Sequence, residues 1–144
     1  MLLASAICSC SEKQPETTEP MITKTEIQVE NGHFTPEIMH RLGKVGDVQV
    51  SPNHAKILYG VTYTSIEQNK GNRELYLMNV DGSENVKITN TPKSESNARW
   101  INDSQIIYMR SGKLYTATIE GSTLKNEKEV AGAEGMEGFE LSPA

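Results

Sequence analysis

The chain has 144 residues, enough for one ordinary domain or for a piece of a larger protein. Apolar residues make up 36% and charged residues 23%, a balance that does not favour disorder. The 14 basic and 19 acidic residues give a net charge of -5, and the acids are scattered along the chain. Nucleic-acid and anionic-membrane surfaces need clustered Lys and Arg, so we expect no nucleic-acid partner.

The first ten residues carry both cysteines and an apolar run that ends in small residues. This run resembles the second half of a secretory signal, although the basic segment that should precede it is absent. Residues 7–10 and the polar residues after them resemble a bacterial lipoprotein cleavage box, with Cys8 where a smaller residue is usual. The resemblance implies lipid attachment at Cys10, and therefore an exported periplasmic or cell-envelope protein that contacts the membrane only through the anchor. The alternative is a cytoplasmic N-terminus with two incidental thiols.

Residues 11–33 are rich in Glu, Thr and Pro and have little apolar periodicity, which predicts a flexible tether. A short helix leading into the first repeat is predicted over residues 34–44. Thr35 is a favourable cap, Pro36 stands in the first turn, and Glu37 lies near the positive end of the helix. Ile38, Met39 and Leu42 share one side of this helix, so we expect that side to dock on the first sheet.

A pattern of short apolar runs occurs twice and begins a third time. Ile57-Leu58-Tyr59 returns as Ile106-Ile107-Tyr108, Leu75-Tyr76 as Leu114-Tyr115, Asp81-Gly82-Ser83 as Glu120-Gly121-Ser122, and Val50-Ser51-Pro52 as Leu141-Ser142-Pro143. Residues 47–50, 56–63, 73–79 and 85–89 are predicted strands of the first copy, and 97–100, 105–109, 113–119 and 127–131 those of the second. Asp81-Gly82 predicts a tight hairpin turn with positive φ at both positions. The first copy also carries a longer loop, residues 64–72.

Repeats of four antiparallel strands with apolar side chains on both faces are typical of propeller blades. The sequence therefore predicts an all-β fold: a partial β-propeller with blade one over residues 45–92, blade two over 93–135 and the start of blade three over 136–144. A propeller typically needs 4 to 8 blades, so we expect further blades to be missing from this chain.

The motifs follow one another in a fixed order, from Phe34 through the Ser51-Pro52 turn to the Asp81-Gly82-Ser83 hairpin. This order resembles the start of the propeller in prolyl oligopeptidase-family serine peptidases, particularly the acylaminoacyl-peptidase and dipeptidyl-peptidase branches. The resemblance covers about three quarters of the chain. It implies a parent serine peptidase in which the propeller gates peptide access to a C-terminal α/β-hydrolase domain. That domain carries a Gly-x-Ser-x-Gly motif, which is absent here. We therefore predict no catalytic, cofactor-binding or metal-binding residue in this chain, and no activity of the chain alone.

Several polar residues have a structural interpretation. Ser51 and Ser142 recur beside Pro at the same place in the repeats, which a turn requires and a single active site does not. His33, His40 and His54 are too far apart along the chain for an ordinary metal motif. Asp81, Asp103 and Glu120 are interpreted as solvated turn acids.

Glu67, in the longer loop, is the one candidate contact for the charged N-terminus of a peptide substrate. This role is implied by the resemblance alone, and a solvated hairpin is the alternative. Two other functions stay open for the whole chain. One is a TolB-like periplasmic propeller that acts as a protein-interaction module, and the other is a truncated product without activity.

Overall fold

The computed structural model describes residues 20–142, so Cys10 and the predicted lipid attachment lie outside the described residues. Two four-stranded antiparallel sheets dominate it, each with its strands in sequence order. The first sheet contains β1 (Lys44–Val50), β2 (Lys56–Ser65), β3 (Lys70–Asn79) and β4 (Val86–Lys87), and the second contains β5 (Glu95–Trp100), β6 (Gln105–Arg110), β7 (Lys113–Glu120) and β8 (Thr123–Glu129). A 3-10 turn (Glu30–Gly32) and one helix, α1 (Pro36–Arg41), precede them. The all-β prediction is confirmed.

The long loop predicted between β2 and β3 is mostly strand. The two strands pair without interruption from Lys56 with Asn79 to Ser65 with Lys70, which leaves only residues 66–69 for the turn. Thr and Tyr side chains at 62–64 favour extended backbone, and this preference continues the ladder past the predicted end. The insertion is therefore a projecting two-stranded ribbon, and Glu67 lies at its tip.

The turn after β3 also differs from the prediction. Gly82 has φ 86° and Glu84 has φ 51°, whereas Asp81 does not have a positive φ. Instead, Asp81 Oδ1 accepts hydrogen bonds from the Ser83 amide at 2.9 Å and the Ser83 hydroxyl at 2.6 Å. An Asp side chain that bonds the backbone two residues later forms a turn by itself, which explains the wider connection.

The last strand of the second sheet begins earlier than predicted. Glu120 pairs with Thr123, so Gly121 and Ser122 alone form the turn, with φ 60° at Gly121. A two-residue turn returns the chain into the ladder at once. The strand that follows is polar and exposed along most of its length, as suits the outer edge of a sheet.

The two copies share a backbone irregularity that the sequence did not predict. Pairing shifts in β1 between Gly46 and Gln49, and in β5 between Ser96 and Arg99. The residue at each bulge, Asp47 or Asn97, has φ 51°. Asp and Asn tolerate this left-handed conformation better than most residues. The repeat therefore extends to the detailed path of the first strand.

Helix α1 begins as predicted but docks only weakly through its apolar side. The Thr35 hydroxyl accepts a hydrogen bond from the Ile38 amide at 3.3 Å, and Pro36 is in the first turn. Ile38 is half-buried, whereas Met39 is 52% and Leu42 is 42% exposed. Six residues make less than two turns, so this helix presents too little of one face to cover a sheet. The prediction that its apolar side docks is wrong for these two residues.

The main core lies between the sheets. It contains Leu58, Leu75 and Leu77 of the first sheet and Ala98, Trp100, Ile106, Tyr108, Ala117 and Ile119 of the second. The second sheet is also covered on its other face, where a smaller cluster joins Ile107, Met109, Leu114 and Ala133 to Val130, Met136 and Phe139. The residues of this cluster from 130 onward belong to an irregular segment that follows β8. The start of a third blade in this segment stays a prediction.

Arg73 lies across two glycines that face each other in β1 and β2. Gly46 pairs with Gly60, and a Cβ atom added to Gly60 would lie 2.3 Å from Arg73 Nε. The absence of both side chains lets the guanidinium reach Asp47, with Nη2 at 2.8 Å from Oδ2. Small residues are therefore required here because an arginine crosses the sheet.

Substitution of Gly60 with Ala tests this packing. The added methyl group must displace Arg73 from Asp47, and we expect the free energy of unfolding to fall by about 1–3 kcal/mol, the usual cost of overpacking. Urea denaturation of the 144-residue chain measures it. Gly138→Ala is the control, because a Cβ there meets only Asn97 Nδ2, at 3.9 Å. An equal loss of stability in both variants would contradict the packing argument.

Candidate functional site

Polar side chains collect at the end of the sheets that carries the β2–β3 turn. The connection from β4 to β5, residues 88–94, returns to this end and is tied to the start of β3. Asn72 Nδ2 donates to the Thr91 carbonyl at 2.9 Å, and the Arg73 amide donates to Ser94 Oγ at 3.1 Å. Connections and strand ends positioned by a rigid scaffold are common places for binding residues. This end of the sheets is therefore the candidate site.

Glu74 is a buried carboxylate that holds the connection in place. Its Oε2 accepts from the Thr89 hydroxyl at 2.7 Å, and its Oε1 accepts from the Thr91 amide at 3.1 Å and from Asn72 Nδ2 at 3.3 Å. The Thr89 hydroxyl oxygen also accepts from the Leu75 amide, at 2.8 Å. A buried carboxylate with several donors is energetically tolerable, so Glu74 acts as a structural clamp.

Glu95, the first residue of β5, is fully buried on the neighbouring sheet. Its Oε1 accepts from the Thr91 hydroxyl at 2.8 Å and from Arg110 Nε at 2.7 Å. Its Oε2 has no hydrogen-bond partner among residues 20–142. Burial raises the pKa of Glu95; the bonds from Thr91 and Arg110 oppose this shift, and the charge of Glu74 adds to it. Thr91 therefore links two buried carboxylates, one from each sheet.

Arg110 joins Glu95 to the outer strand of the second sheet. Its Nη1 and Nη2 donate to the two carboxylate oxygens of Glu127 at 2.8 and 2.9 Å, and its guanidinium lies 5.5 and 5.0 Å from the ring centres of Tyr108 and Tyr115. The Tyr108 hydroxyl also donates to Glu127. The bonds from Arg110 lower the pKa of Glu127. A cation that contacts two carboxylates and two aromatic rings is fully engaged, so this network stabilises the second sheet.

A surface cleft adjoins the tip of the β2–β3 ribbon. We call it the hairpin cleft; it has a volume of about 320 Å³ and is lined by residues 20–23, Thr25, Arg41 and residues 64–68. Gln68 Nε2 donates to the Pro20 carbonyl at 3.0 Å, and Asn72 Nδ2 donates to the Ile22 carbonyl at 3.3 Å. These bonds fix the N-terminal wall of the cleft to the ribbon. Three separate parts of the chain therefore build one cleft.

The structure places Glu67 in the hairpin cleft. Its carboxylate is exposed and its Oε2 accepts from the Ser65 hydroxyl at 3.0 Å. A backbone hydrogen bond and the Ser65 hydroxyl lower the pKa of Glu67, and the positive charge of Arg41 adds to the effect. Glu67 is therefore ionised at neutral pH and open to a ligand. Arg41, from the last turn of α1, is a cleft residue that the sequence reasoning missed, because only the fold brings residues 41 and 67 together.

The remaining candidates have structural roles or lie apart from this cleft. Ser51 is buried, and its Oγ accepts from the Ala55 amide at 3.2 Å and the Lys56 amide at 2.9 Å, as a turn residue should. Asp103 Oδ1 accepts from the Asn53 amide at 2.8 Å, so it joins equivalent turns of the two copies. Ser142 is the last described residue and is exposed.

The histidines and the helix give no further site in the described part of the chain. Within residues 20–142, no three His, Cys, Asp or Glu side chains are grouped so that they could hold a metal ion. No helix in the same range is long and apolar enough to cross a membrane.

The two carboxylates of the network should respond to pH in opposite directions. The pKa of Glu95 is raised in the folded state, so the stability of the natural chain relative to Glu95→Gln should rise as pH falls from 7 to about 4.3, the usual Glu pKa. The pKa of Glu127 is lowered, so its stabilisation is present above about 4.3 and is lost as pH falls further. Urea denaturation of the natural chain and the two Gln variants from pH 7 to about 3 measures both effects, and stability differences that change in the same direction as pH falls would contradict the network.

Comparison with known proteins gives two partial similarities. The chain is 33% identical over 81 residues to dipeptidyl-peptidase 5 of Porphyromonas gingivalis, a match that covers 56% of the chain and 12% of that protein. It is 30% identical over 97 residues to dipeptidyl-peptidase 5 of Porphyromonas endodontalis, which covers 67% of the chain and 13% of that protein. No family model matches the chain.

The chain thus spans about an eighth of the length of the curated relatives it matches. The resemblance to peptidases is confirmed at that coarse level: the all-β chain is related, over part of its length, to dipeptidyl-peptidases.

Proposed function

We propose that the two sheets are consecutive blades of a β-propeller, blade one over residues 45–92 and blade two over residues 93–135, with blade three starting in residues 136–144. One repeated contact carries this proposal. The Asn97 amide donates to Asp47 Oδ2 at 3.2 Å, and Asn97 Nδ2 donates to the Phe139 carbonyl at 2.9 Å. The bulge residue in the first strand of each sheet is thus hydrogen-bonded to the following copy of the repeat. We call these two hydrogen bonds the bulge staple.

The surroundings of the bulge staple support the same arrangement. Trp100 Nε1 donates to the Gln49 carbonyl at 3.3 Å, so β1 and β5 are adjacent at a second point. The sheets pack face to face, and the far face of the second sheet carries its own apolar cluster. In a propeller, first strands stand side by side around the axis and each sheet is covered by a neighbour on both faces. Two sheets related in this way are what two adjacent blades require.

In the parent protein this propeller would gate peptide access to a C-terminal α/β-hydrolase domain. The partial similarity to dipeptidyl-peptidases, of which the matches cover only 12% and 13%, supports this reading. The reaction of the parent would be acyl transfer from a peptide to a serine and then to water. This chain would contribute the hairpin cleft, where Glu67 would accept the charged N-terminus of the peptide. Cys10 would carry the lipid that holds the parent in the bacterial envelope.

The chain alone should not hydrolyse peptides, because it contains no Gly-x-Ser-x-Gly motif. Incubation of the purified 144-residue product with dipeptidyl-naphthylamides should release no naphthylamine. Release that a serine-directed inhibitor abolishes would contradict this prediction.

The product of the full reading frame tests the proposed role of Glu67. We expect Glu67→Gln to raise the KM for a dipeptidyl-naphthylamide with a free amino group about fivefold, the effect of one exposed ion pair. The KM for an N-acetylated substrate and the kcat should be unchanged. The matched control is Glu84→Gln, because Glu84 is an exposed acid in the turn that follows β3, whereas Glu67 lies in the turn that precedes it.

The DNA sequence downstream tests the peptidase proposal itself. A reading frame that ends after the last blade, without a Gly-x-Ser-x-Gly motif, would remove the peptidase proposal and favour a binding propeller.

A further inference from the structure

The hairpin cleft contains two opposite charges that do not neutralise each other. Arg41 comes from α1 and Glu67 from the ribbon tip, and both line the cleft. The ion pairs within 4 Å that join residues of the 20–142 range use other side chains, so Arg41 and Glu67 are farther apart than a salt bridge. A backbone hydrogen bond, the Ser65 hydroxyl and, as the smallest effect, the charge of Arg41 lower the pKa of Glu67. Both side chains therefore keep a charge that a ligand in the cleft can pair with.

The walls of the cleft are both apolar and hydrogen-bonding. Met21, Ile22 and Ile66 supply apolar surface, and Ile66 is 51% exposed although it is large and hydrophobic. Thr23 and Thr25 add hydroxyl groups on the same lining. A cleft with a few polar groups among apolar ones is typical of small-ligand sites. Here the polar groups include one full charge of each sign.

The cleft is also held in shape before any ligand arrives. Gln68 and Asn72 fix the wall formed by residues 20–23, and Ser65 fixes the Glu67 carboxylate. A preformed site spends less binding energy on ordering its own groups. The Glu67 carboxylate and the wall opposite the ribbon are therefore positioned before a ligand binds.

We propose that the hairpin cleft binds a free dipeptide in its zwitterionic form. The amino group would pair with Glu67, and the carboxylate would pair with Arg41, whose planar fork matches a carboxylate. The cleft volume of about 320 Å³ is at the small end for ligand sites, and two extended residues span only about 7 Å.

This proposal rests on the proposed function only for the source of the dipeptide. A dipeptidyl-peptidase releases a product that carries both termini, whereas its uncleaved substrate carries its carboxylate far from its amino group. The cleft would therefore hold the product better than the substrate. Binding itself depends only on residues of this chain.

Isothermal titration of the 144-residue chain with alanyl-leucine tests the proposal. We expect saturable binding that weakens about fivefold when the ligand is N-acetylated, and also when it is C-terminally amidated, because each change removes one charge pair. Glu67→Gln and Arg41→Gln should each weaken alanyl-leucine binding by a similar factor. The matched controls Glu84→Gln and Lys125→Gln, both at exposed positions outside the cleft, should bind as the natural chain does.

Titration of each variant with each capped ligand shows which residue pairs with which end of the dipeptide. Arg41→Gln should not further weaken the amidated ligand, and Glu67→Gln should not further weaken the acetylated one, because the partner charge is already gone. Circular dichroism of each variant verifies that it is folded. Absence of binding at millimolar dipeptide, or equal affinity for the capped ligands, would overturn the proposal. Neither outcome depends on whether the full reading frame encodes a hydrolase.

Discussion

Burial on both faces is the constraint from which the rest of this structure follows. The second sheet carries apolar side chains on both of its faces, so covering both faces stabilises it. The first solution is the core between the sheets, where Leu58, Leu75 and Leu77 meet Ile106 and Tyr108. The second is the cluster on the far side of the second sheet, which Met136 and Phe139 cover. A chain built in this way stacks sheets in series.

Sheets that pack one after another need contacts that fix the position of each sheet relative to the next. The bulge staple supplies them through a left-handed residue in each first strand, and Arg73 reinforces the first of these residues across two glycines. Two residues before Asn97 in β5, Glu95 of the second sheet is tied by Thr91 to Glu74 of the first. Buried carboxylates are costly without partners, so these contacts define one relative position of the sheets and disfavour others. The hairpin cleft depends on this order because Asn72 anchors both the inter-sheet connection and the cleft wall.

The sequence allowed the strands, the helix start and the repeat to be predicted because each depends on local chemistry. Thr35 and Pro36 are sufficient to begin a helix, and alternating apolar residues are sufficient to indicate β2 and β3. The paired tyrosines of the repeat were visible too, and Tyr59 with Tyr76 and Tyr108 with Tyr115 stack at 5.6 and 6.0 Å.

The features that sequence reasoning missed depend on residues distant in the chain. Residues 64–72 were predicted to form a loop because most of their side chains are polar. In the structure, β2 and β3 pair without interruption as far as Ser65 and Lys70. The engagement of Arg110 by Glu95 and Glu127 follows from strand register, which the sequence does not specify by itself. Glu67 could be selected as a loop acid, but Arg41 could not, since only the fold brings α1 to the ribbon tip.

A crystal structure of the product of the full reading frame would test the central claim most directly, namely that the two sheets are successive members of one ring. The account predicts four or more sheets around an axis, with β1 and β5 innermost and with Asn97 bonded to the first strand of a third sheet. A closed two-sheet sandwich, or a third sheet placed elsewhere, would contradict it.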